Sequence, residues 1–412
     1  MNKSPRLVAL ETLYSIFYDG SYSNIALDKA LSDIKENKAF ISALVYGVTE
    51  KKITLDYFID KYAQGRIKPK VRIVLWLGAY QLLFMDKVPS SASINESVKL
   101  VKEIKQDYYS KLVNAVLHKI DNDRQIPDDL SVKYSVPENL INMWKKQYGE
   151  DVLNEFLPCI NDKPPLFAIP NKKFVNSDEL LYELECDGIL GEAYDEFVLI
   201  ENANDLTDSK AFKNGLFYIE DLSSFNCANA LDALGDDLVL DMCSAPGGKA
   251  FTISQSMNNS GKIYCYDLHE HRLNLIKNSA KRLSIDNIYT EVNDATVYNE
   301  NIPKADKILC DVPCSGFGII RRKPEIRYKD LDSVKDLPQI QYKILETSSR
   351  YLKDGGRIIY STCTLNKKEN ENVVNKFLKD HSGYKLLKEK TVFPSTVGGD
   401  GFYYAIMVKN EN

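Results

Sequence analysis

The chain has 412 residues, of which 44% are hydrophobic and 27% are charged, and its formal net charge is −5 at pH 7. This length predicts two or three domains, and this composition is that of an ordinary globular protein, which excludes a disordered chain. No apolar run is long enough to span a bilayer and the first residues lack a signal-peptide pattern, so we expect a cytoplasmic protein with no membrane partner.

Residues 1–122 are predicted to form an all-helical bundle, because apolar residues recur there at three- and four-residue spacing. In the first segment this repeat is carried by Leu7, Leu10 and Leu13. Asn24 is predicted to cap a short second helix. Further helical patterns cover residues 37–63, 69–86, 91–104 and 108–121.

Residues 123–214 have a mixed pattern and are predicted to form a small α+β connector domain that binds RNA. Prolines divide this segment into short pieces, among them Pro127, Pro137 and Pro158. Two helices are predicted within it, near residues 137–148 and 177–187.

From residue 215 to residue 412 the pattern changes to strand–helix alternation, which predicts a doubly wound α/β domain of the Rossmann type. Continuous apolar runs predict strands that are buried on both faces of a parallel sheet. These strands are predicted at residues 238–241, 262–267, 287–292, 307–311 and 357–361, with a final strand at 401–408. Helices are predicted at residues 249–257, 270–284, 334–353 and 369–380.

The turn after the first of these strands is the predicted cofactor site, because ligands of such sheets bind at the carboxyl ends of the strands. The turn consists of Cys243, Ser244, Ala245, Pro246, Gly247, Gly248 and Lys249. Its two glycines let the backbone approach a ligand closely. The turn lacks the dinucleotide pattern GxGxxG, which argues against pyrophosphate recognition.

Aspartates stand at or just after the ends of four successive strands. They are Asp241, Asp267, Asp294 and Asp311. We expect Asp267 to accept hydrogen bonds from ribose hydroxyls and Asp294 to meet an adenine amino group. Together the four acids suit an adenosine ligand with a cationic centre, so the predicted cofactor is S-adenosyl-L-methionine.

Two cysteines, Cys314 and Cys363, lie at the ends of two predicted strands and indicate covalent chemistry on an electrophilic ring. A thiolate that adds to carbon 6 of a pyrimidine makes carbon 5 nucleophilic, which divides a difficult methylation into easier steps. Such a scheme needs a nucleophilic cysteine, a carboxyl group near N3 of the base and help in the final elimination. Cys363, Cys314 and Asp311 are the candidates for these roles.

The commoner role of a cysteine at a strand end is that of a small buried hydrophobic residue. We predict this role for Cys227, Cys265 and Cys310. The eight cysteines contain no CxxC pair and the four histidines form no cluster, so neither a metal site nor a disulfide framework is expected.

Three segments resemble the RNA cytosine-5 methyltransferases of the Nol1/Nop2/Sun family, and the likeness covers about residues 215–409. They are Asp-Val-Pro-Cys-Ser-Gly at 311–316, Ser-Thr-Cys-Thr at 361–364 and the turn at 243–249. The resemblance implies that Cys363 is the nucleophile, that Cys314 assists release and that Asp311 holds the target base. It also implies that Lys249 lies near the methionine or the base. The presence of both cysteines favours RNA over DNA as the substrate.

A basic loop, formed by Arg321, Arg322 and Lys323, follows the Pro-Cys motif and also resembles that family. The resemblance implies phosphate contacts, whereas the negative overall charge is a mild argument against a nucleic-acid partner. The run Glu-Asn-Glu-Asn at 369–372 resembles the Glu-Asn-Glu run that follows the nucleophile motif in the family.

The N-terminal part resembles the NusB-type RNA-binding helical fold, through residues 44–48, 94–98 and 113–117. Its fusion to such a catalytic domain resembles the bacterial small-subunit ribosomal RNA methyltransferases of the Sun type, so the likeness spans nearly the whole chain. This resemblance implies a monomer that acts on 16S ribosomal RNA, as naked RNA or in a small-subunit precursor. The target usual for the family is cytosine 967.

The chain departs from the family pattern at residues 169–171, where Arg-Val-Asn is common, and at Glu220, where a glutamine usually precedes the aspartate. Neither departure touches the two cysteines. Two alternatives stay open. One is the same enzyme acting on transfer RNA, and the other is a non-catalytic RNA-binding or antitermination factor, which the NusB-like part alone supports.

Overall fold

A computed structural model describes residues 3–202, 206–395 and 398–411. Contacts within it divide the chain into two compact units. The first comprises the residues up to Asp162 together with Ile320–Asp330, and the second comprises Lys163–Ile319 and Leu331–Asn412. Residues 123–162 of the predicted connector therefore group with the helices before them and residues 163–214 with the chain after them. The division into three domains stays a prediction.

The first unit is built of helices. They are α1 (Pro5–Tyr18), α2 (Ser23–Leu31), α3 (Lys38–Tyr62), α4 (Pro69–Phe84), α5 (Ser90–Glu103), α6 (Ser110–Asn122), α7 (Leu130–Tyr134), α8 (Glu138–Tyr148) and α9 (Glu150–Phe156). In α4 the consecutive residues Ile73, Val74 and Leu75 are all fully buried. A helix that is apolar on every side is a core helix, so α4 lies at the centre of this bundle.

Helix α2 begins at Ser23, so the predicted cap at Asn24 is wrong and Asn24 lies in the first turn. The carboxylate of Glu325 instead accepts hydrogen bonds from the donors at this helix end. It accepts hydrogen bonds from the Ser23 N–H at 3.1 Å and from the Ser23 hydroxyl at 2.7 Å. A negative charge at a helix N-terminus also complements the helix dipole. The cap therefore comes from a residue that is remote in sequence.

Arg327 fixes the segment Ile320–Asp330 inside the first unit. Its side chain is 1% exposed. The guanidinium donates to the backbone carbonyls of Glu50 and Ser135 and to Asn161 Oδ1, each at 3.1 Å. Buried N–H donors need such partners. Arg327 therefore stabilises the interior of this unit.

The second unit begins with a small antiparallel sheet in the order β2-β3-β1-β4. Its strands are β1 (Leu166–Pro170), β2 (Gly191–Ala193), β3 (Val198–Ile200) and β4 (Phe217–Ile219), accompanied by helices α10 (Ser177–Cys186) and α11 (Lys210–Lys213). Leu180 and Leu184 of α10 are buried in one cluster with Phe217. Helix α10 starts in a capping box, in which Asn176 and Glu179 satisfy each other's backbone N–H groups.

A seven-stranded sheet in the order β10-β11-β9-β8-β5-β6-β7 forms the rest of the second unit. Its strands are β5 (Leu238–Asp241), β6 (Lys262–Asp267), β7 (Ile288–Val292), β8 (Ala305–Asp311), β9 (Leu352–Thr362), β10 (Tyr384–Val392) and β11 (Phe402–Lys409). Strands β5 to β9 run parallel, and β11 and β10 are added antiparallel at one edge.

Helices cover both faces of this sheet, which confirms the predicted doubly wound fold. They are α12 (Leu222–Asn229), α13 (Gly248–Ser256), α14 (Glu270–Arg282), α15 (Leu337–Ser349) and α16 (Glu371–Asp380). Val239 and Leu240 are neighbours in β5, yet they are buried in different clusters. Such two-sided burial explains the continuous apolar runs of the strands. Within the described parts of the chain, no helix is long and apolar enough to cross a membrane.

Candidate active site

The carboxyl ends of β5, β8 and β9 bring the predicted motifs to one edge of the sheet. Strands β6 and β7 extend the sheet on one side of β5, and β8 and β9 lie on its other side. Asp241 is in register with Leu309, and Asp311 is in register with Ser361. The strand order therefore reverses between β5 and β8, and ligands of such sheets bind at this reversal.

The turn at 243–249 is held against β6 and depends on a glycine. The Ser244 N–H donates to the carbonyl of Tyr266 at 2.8 Å. Gly247 has a φ of 107°, and a Cβ at this position would lie 2.8 Å from the ring of Phe251. Both the left-handed backbone and the close ring therefore require glycine here. Helix α13 begins at the next residue.

A cavity of about 360 Å³ is lined by this turn and by charged side chains. The charged residues among its lining include Glu220, Asp221, Asp241, Asp311 and Lys249. Asp241 Oδ1 and Ser244 Oγ are buried and make no hydrogen bond within the described chain. Buried polar atoms are normally satisfied, so these two oxygens fit a ligand that brings hydrogen-bond donors, such as an ammonium group. Burial raises the pKa of Asp241 to about 7.

Asp311 is fixed by two donors. Its Oδ2 accepts a hydrogen bond from Lys249 Nζ at 2.7 Å, and its Oδ1 accepts one from the Ser361 hydroxyl at 2.8 Å. Burial opposes the charge of Lys249, but the carboxylates of Asp311 and Glu220 outweigh burial and raise the pKa of Lys249. Lys249 therefore stays a cation and holds the Asp311 carboxylate in place.

Cys314 and Cys363 meet in the folded chain. Their Sγ atoms are 3.2 Å apart. The Gly318 N–H donates to the carbonyl of Cys363 at 3.0 Å, which joins the two loops. The hydrogen bond with Cys363, together with burial, raises the pKa of the Cys314 thiol well above its ordinary value. The Cys314 thiol therefore keeps its proton next to the Cys363 sulfur, and either sulfur can be the donor in this contact.

Three other cysteines of the second unit are buried. Cys227, Cys265 and Cys310 are each 0% exposed, which confirms that they are small core residues. Burial raises the pKa of Cys227 and of Cys310 to about 12. Cys243 lines the cavity, and burial raises its pKa well above the ordinary range, so it acts there as a neutral thiol. Among the described residues, no group of three His, Cys, Asp or Glu side chains could hold a metal ion.

Asp267 and Asp294 lie at the ends of the strands beyond β5. Asp267 is 3% exposed and forms an ion pair with Arg272 at 3.0 Å. Arg272 also donates to the Ala245 carbonyl at 2.8 Å, so it ties Asp267 to the turn, a link that sequence reasoning missed. Asp294 accepts hydrogen bonds from the N–H and hydroxyl of Thr296 and lines an open cavity of about 720 Å³. Their contacts with ribose and adenine stay predictions.

The residues of the predicted basic loop, Arg321, Arg322 and Lys323, belong to the first unit. Arg321 is only 8% exposed, whereas Arg322 and Lys323 are half-buried. The Lys323 ammonium lies 5.6 Å from the ring centroid of Tyr22. A buried side chain is poorly placed to meet a phosphate, so Arg322 and Lys323 are the stronger candidates. Their RNA contact stays a prediction.

Glu220 is a cavity residue that sequence reasoning recorded only as a departure from the family pattern. It is 8% exposed, and its Oε2 accepts a hydrogen bond from the Thr252 hydroxyl at 2.6 Å. Burial raises the pKa of Glu220 to about 7, against the opposing charge of Lys249. The one signal in the sequence was that residue 220 is an acid where the family usually has a neutral glutamine.

Replacing Glu220 with glutamine should remove part of the pH dependence of stability. A carboxyl group whose pKa rises from 4.5 to about 7 on folding holds more protons in the folded state than in the unfolded state. Its stabilising contribution is therefore present at acidic pH and is lost as the pH rises from about 4.5 to about 7, by roughly 3 kcal/mol. Chemical unfolding of the wild type should show this loss, and Glu220→Gln should make it smaller.

Glu183→Gln is the matched control, because Glu183 is an exposed carboxyl group of α10 in the same unit. This variant should keep the wild-type dependence on pH. If Glu220→Gln also kept the wild-type dependence of stability on pH, the pKa of Glu220 would be the same in the folded and unfolded chains.

Comparison with known proteins identifies relatives of both parts of the chain. Residues 228–408 match the family described as 16S rRNA methyltransferase RsmB/F, and residues 3–122 match the NusB family. The probable ribosomal RNA small subunit methyltransferase B of Bacillus subtilis is 33% identical, over 98% of this chain and 99% of the relative. The protein of the same description from Synechocystis is 30% identical, over 93% of this chain and 90% of the relative.

Solved structures agree with this fold. The crystal structure of PH0851 is 27% identical and superposes with a TM-score of 0.82 over 99% of this chain and 100% of that chain. The crystal structure of NSun6 from Pyrococcus horikoshii with SFG is 21% identical, with a TM-score of 0.61 over 67% of this chain and 99% of that chain. The second likeness supports the fold alone.

Proposed function

We propose, from the premise that this chain belongs to the RsmB/F family of 16S rRNA methyltransferases, that it methylates carbon 5 of a cytosine in 16S ribosomal RNA. Its methyl donor is S-adenosyl-L-methionine. The observation that carries the cytosine assignment is the 3.2 Å separation of Cys314 Sγ and Cys363 Sγ at the ends of neighbouring strands. The proposal includes cytosine 967 as the position and a monomer in the cytoplasm as the acting form.

The chemical problem is that carbon 5 of cytosine is a poor nucleophile. We assign Cys363 to its activation. The Cys363 thiolate bonds to carbon 6, and the electron pair of the 5,6 double bond moves to carbon 5 and the ring. S-adenosyl-L-methionine supplies the methyl group that carbon 5 receives. The carbon-5 proton then leaves to a base, its bonding pair restores the double bond, and Cys363 departs as a thiolate.

Cys314 is assigned to the release step. Because Cys314 keeps its proton, its S–H group can donate a hydrogen bond to the departing Cys363 sulfur. A thiolate that is stabilised in this way is a better leaving group. Cys363 therefore acts on the base, and Cys314 acts on Cys363.

Asp311 is assigned to the base edge near N3. The Lys249 ammonium and the Ser361 hydroxyl fix the positions of its two oxygens. Groups that are fixed before the reaction stabilise developing charge without the cost of reorientation. A fixed carboxylate at the base edge can therefore stabilise cytosine that has taken up a proton at N3, and the ring of this protonated base accepts the electron pair of the double bond when Cys363 adds to carbon 6.

The turn at 243–249 and the surrounding acids are proposed to hold the cofactor. The unsatisfied oxygens of Asp241 and Ser244 suit the ammonium group of its methionine part. Asp267 and Asp294 are proposed to meet ribose and adenine. Asp311 lines the same cavity and is proposed to meet both the cofactor and the base, whereas Cys314 and Cys363 are assigned to the base alone.

RNA binding should weaken steeply with added salt, despite the formal charge of −5. Each phosphate contact with a single strand contributes a slope of about 0.7 in the logarithm of the binding constant against that of salt concentration. Replacing both Arg322 and Lys323 with alanine should therefore reduce the slope by about 1.4. Titration of a labelled 16S fragment at several salt concentrations measures this change.

A double substitution of two exposed lysines of α14, Lys277→Ala with Lys281→Ala, removes the same charge elsewhere and serves as the control. This variant should keep the wild-type slope. Equal slopes in all three proteins would place Arg322 and Lys323 outside the RNA interface.

One assay separates the proposed function from its rivals. The protein is incubated with methyl-labelled S-adenosyl-L-methionine and with naked 16S RNA, small-subunit precursor particles or transfer RNA, and the labelled base is mapped. Label at carbon 5 of a cytosine in 16S RNA supports the proposal. Label in transfer RNA alone moves the activity to that substrate, and RNA binding without label indicates a non-catalytic RNA-binding factor.

A further inference from the structure

We propose that Glu369 is a positioning residue that sets the separation of Cys314 and Cys363, an inference that rests on the proposed function. Glu369 lies two residues before α16 and is 0% exposed. It acts through the loops that carry the two sulfur atoms. The hydrogen bonds of its carboxylate connect it to these loops.

Each carboxylate oxygen of Glu369 accepts two hydrogen bonds. Oε2 accepts from the Ser315 N–H and from Gln341 Nε2, both at 2.9 Å. Oε1 accepts from the Ser315 hydroxyl at 2.6 Å and from Asn366 Nδ2 at 2.8 Å. Two of these four bonds come from Ser315, the residue directly after Cys314. This carboxylate therefore fixes the position of the loop that carries Cys314.

The same network holds the loop of Cys363. Ser315 Oγ lies 2.6 Å from Thr364 Oγ1, and Thr364 Oγ1 also accepts the Phe317 N–H at 3.2 Å. Thr364 directly follows Cys363, just as Ser315 directly follows Cys314. The two loops are thus joined one residue after each sulfur.

Gln341 of α15 completes the support on the other side of Cys314. Its Nε2 also donates to the Pro313 carbonyl at 3.0 Å. Cys314 is therefore held through the residue before it and the residue after it. The cofactor cavity is lined by other residues, the turn at 243–249 and Glu220 among them. Loss of the network should disturb the two sulfurs while the cofactor still binds.

Glu369→Gln tests this inference, because an amide NH₂ would face two donors where the carboxylate accepts from both. We expect affinity for S-adenosyl-L-methionine within about twofold of wild type and one round of methyl transfer, measured in a single-turnover assay. The covalent protein–RNA adduct should then persist at least about tenfold longer, because Cys314 no longer meets the departing sulfur. Denaturing gels measure the adduct lifetime.

The pH profile of adduct release gives a readout that a merely structural residue would not move. The hydrogen bond with Cys363 and burial raise the pKa of Cys314, and the negative charge of Glu369 adds to this effect. Removing the charge lowers the pKa of Cys314. Release that needs a protonated Cys314 should therefore decline at a lower pH in Glu369→Gln than in the wild type.

Glu371→Gln is the matched control, with the same chemical change two residues further along, where the carboxylate contacts Thr391 at 3.4 Å. It should release product as the wild type does. If Glu369→Gln does not fold, Thr364→Val removes one hydroxyl of the network at nearly constant volume and should prolong the adduct by about threefold.

Two results would overturn the inference: wild-type release in Glu369→Gln, or an equal loss of cofactor binding and methyl transfer in a folded Glu369→Gln protein. Either would show that the carboxylate does not control the sulfur pair. Failure of the proposed function looks different, because the wild type and Cys314→Ala would then form no adduct with RNA.

Discussion

Replacement of Cys363 with alanine should abolish methyl transfer to RNA while the binding of S-adenosyl-L-methionine remains. The sulfur is proposed to bond to carbon 6 of the cytosine, and without that bond carbon 5 stays unreactive. The rate should fall by at least about four orders of magnitude, as is usual when a covalent nucleophile is lost. The proposed cofactor contacts lie in the turn after β5, so the dissociation constant measured by calorimetry should stay within about twofold of wild type.

Cys186→Ala is the matched control for this variant, because Cys186 is an exposed cysteine of α10. It should methylate RNA at the wild-type rate. Methyl transfer at a similar rate in Cys363→Ala would exclude this sulfur as the nucleophile. Loss of cofactor binding in Cys363→Ala would instead show that the sulfur supports the structure of the cavity.

The central strands were predictable because they are buried on both faces. Strands β5 and β6 have the predicted bounds, 238–241 and 262–267. A strand of this kind is a short continuous apolar run between polar turns, and few other structures have that pattern. The family resemblance of the N-terminal part was confirmed by the match of residues 3–122 to the NusB family.

Strand β10 was not predicted, because its sequence lacks the pattern of a buried strand. It lies at the edge of the sheet and carries Lys385, Lys388 and Lys390. Charged side chains on an edge strand protect it from pairing with another chain. They also interrupt the run of apolar residues from which a buried strand is predicted. Only its pairing with the buried strand β11 defines it.

The candidate site was predictable to the extent that parallel strands place their carboxyl ends on one edge. This rule brought Asp311 and the two cysteines together without knowledge of the contacts. It could not give the pairing of Glu325 with Ser23, because the two residues are 302 positions apart. It also could not show that Glu220 faces the cavity, since burial of a charged residue depends on the packing of the whole domain.

Replacement of Cys314 with alanine should trap a covalent protein–RNA adduct. Cys363 can still add to carbon 6 and the methyl group can still be transferred, but no S–H group then meets the departing sulfur. Turnover should fall by about two to three orders of magnitude, while up to one RNA per protein accumulates as a slower-migrating species on a denaturing gel. Label from the methyl donor should migrate with that species.

Cys314→Ser restores a hydrogen-bond donor of similar size and should release the adduct faster than Cys314→Ala. The double variant Cys314→Ala with Cys363→Ala should form no adduct, because the sulfur that bonds to the base is then absent. Rapid turnover without a slower-migrating species in Cys314→Ala would contradict the release role. An adduct that survives in the double variant would mean that a different side chain bonds to the RNA, and the assignment of Cys363 would then fall with that of Cys314.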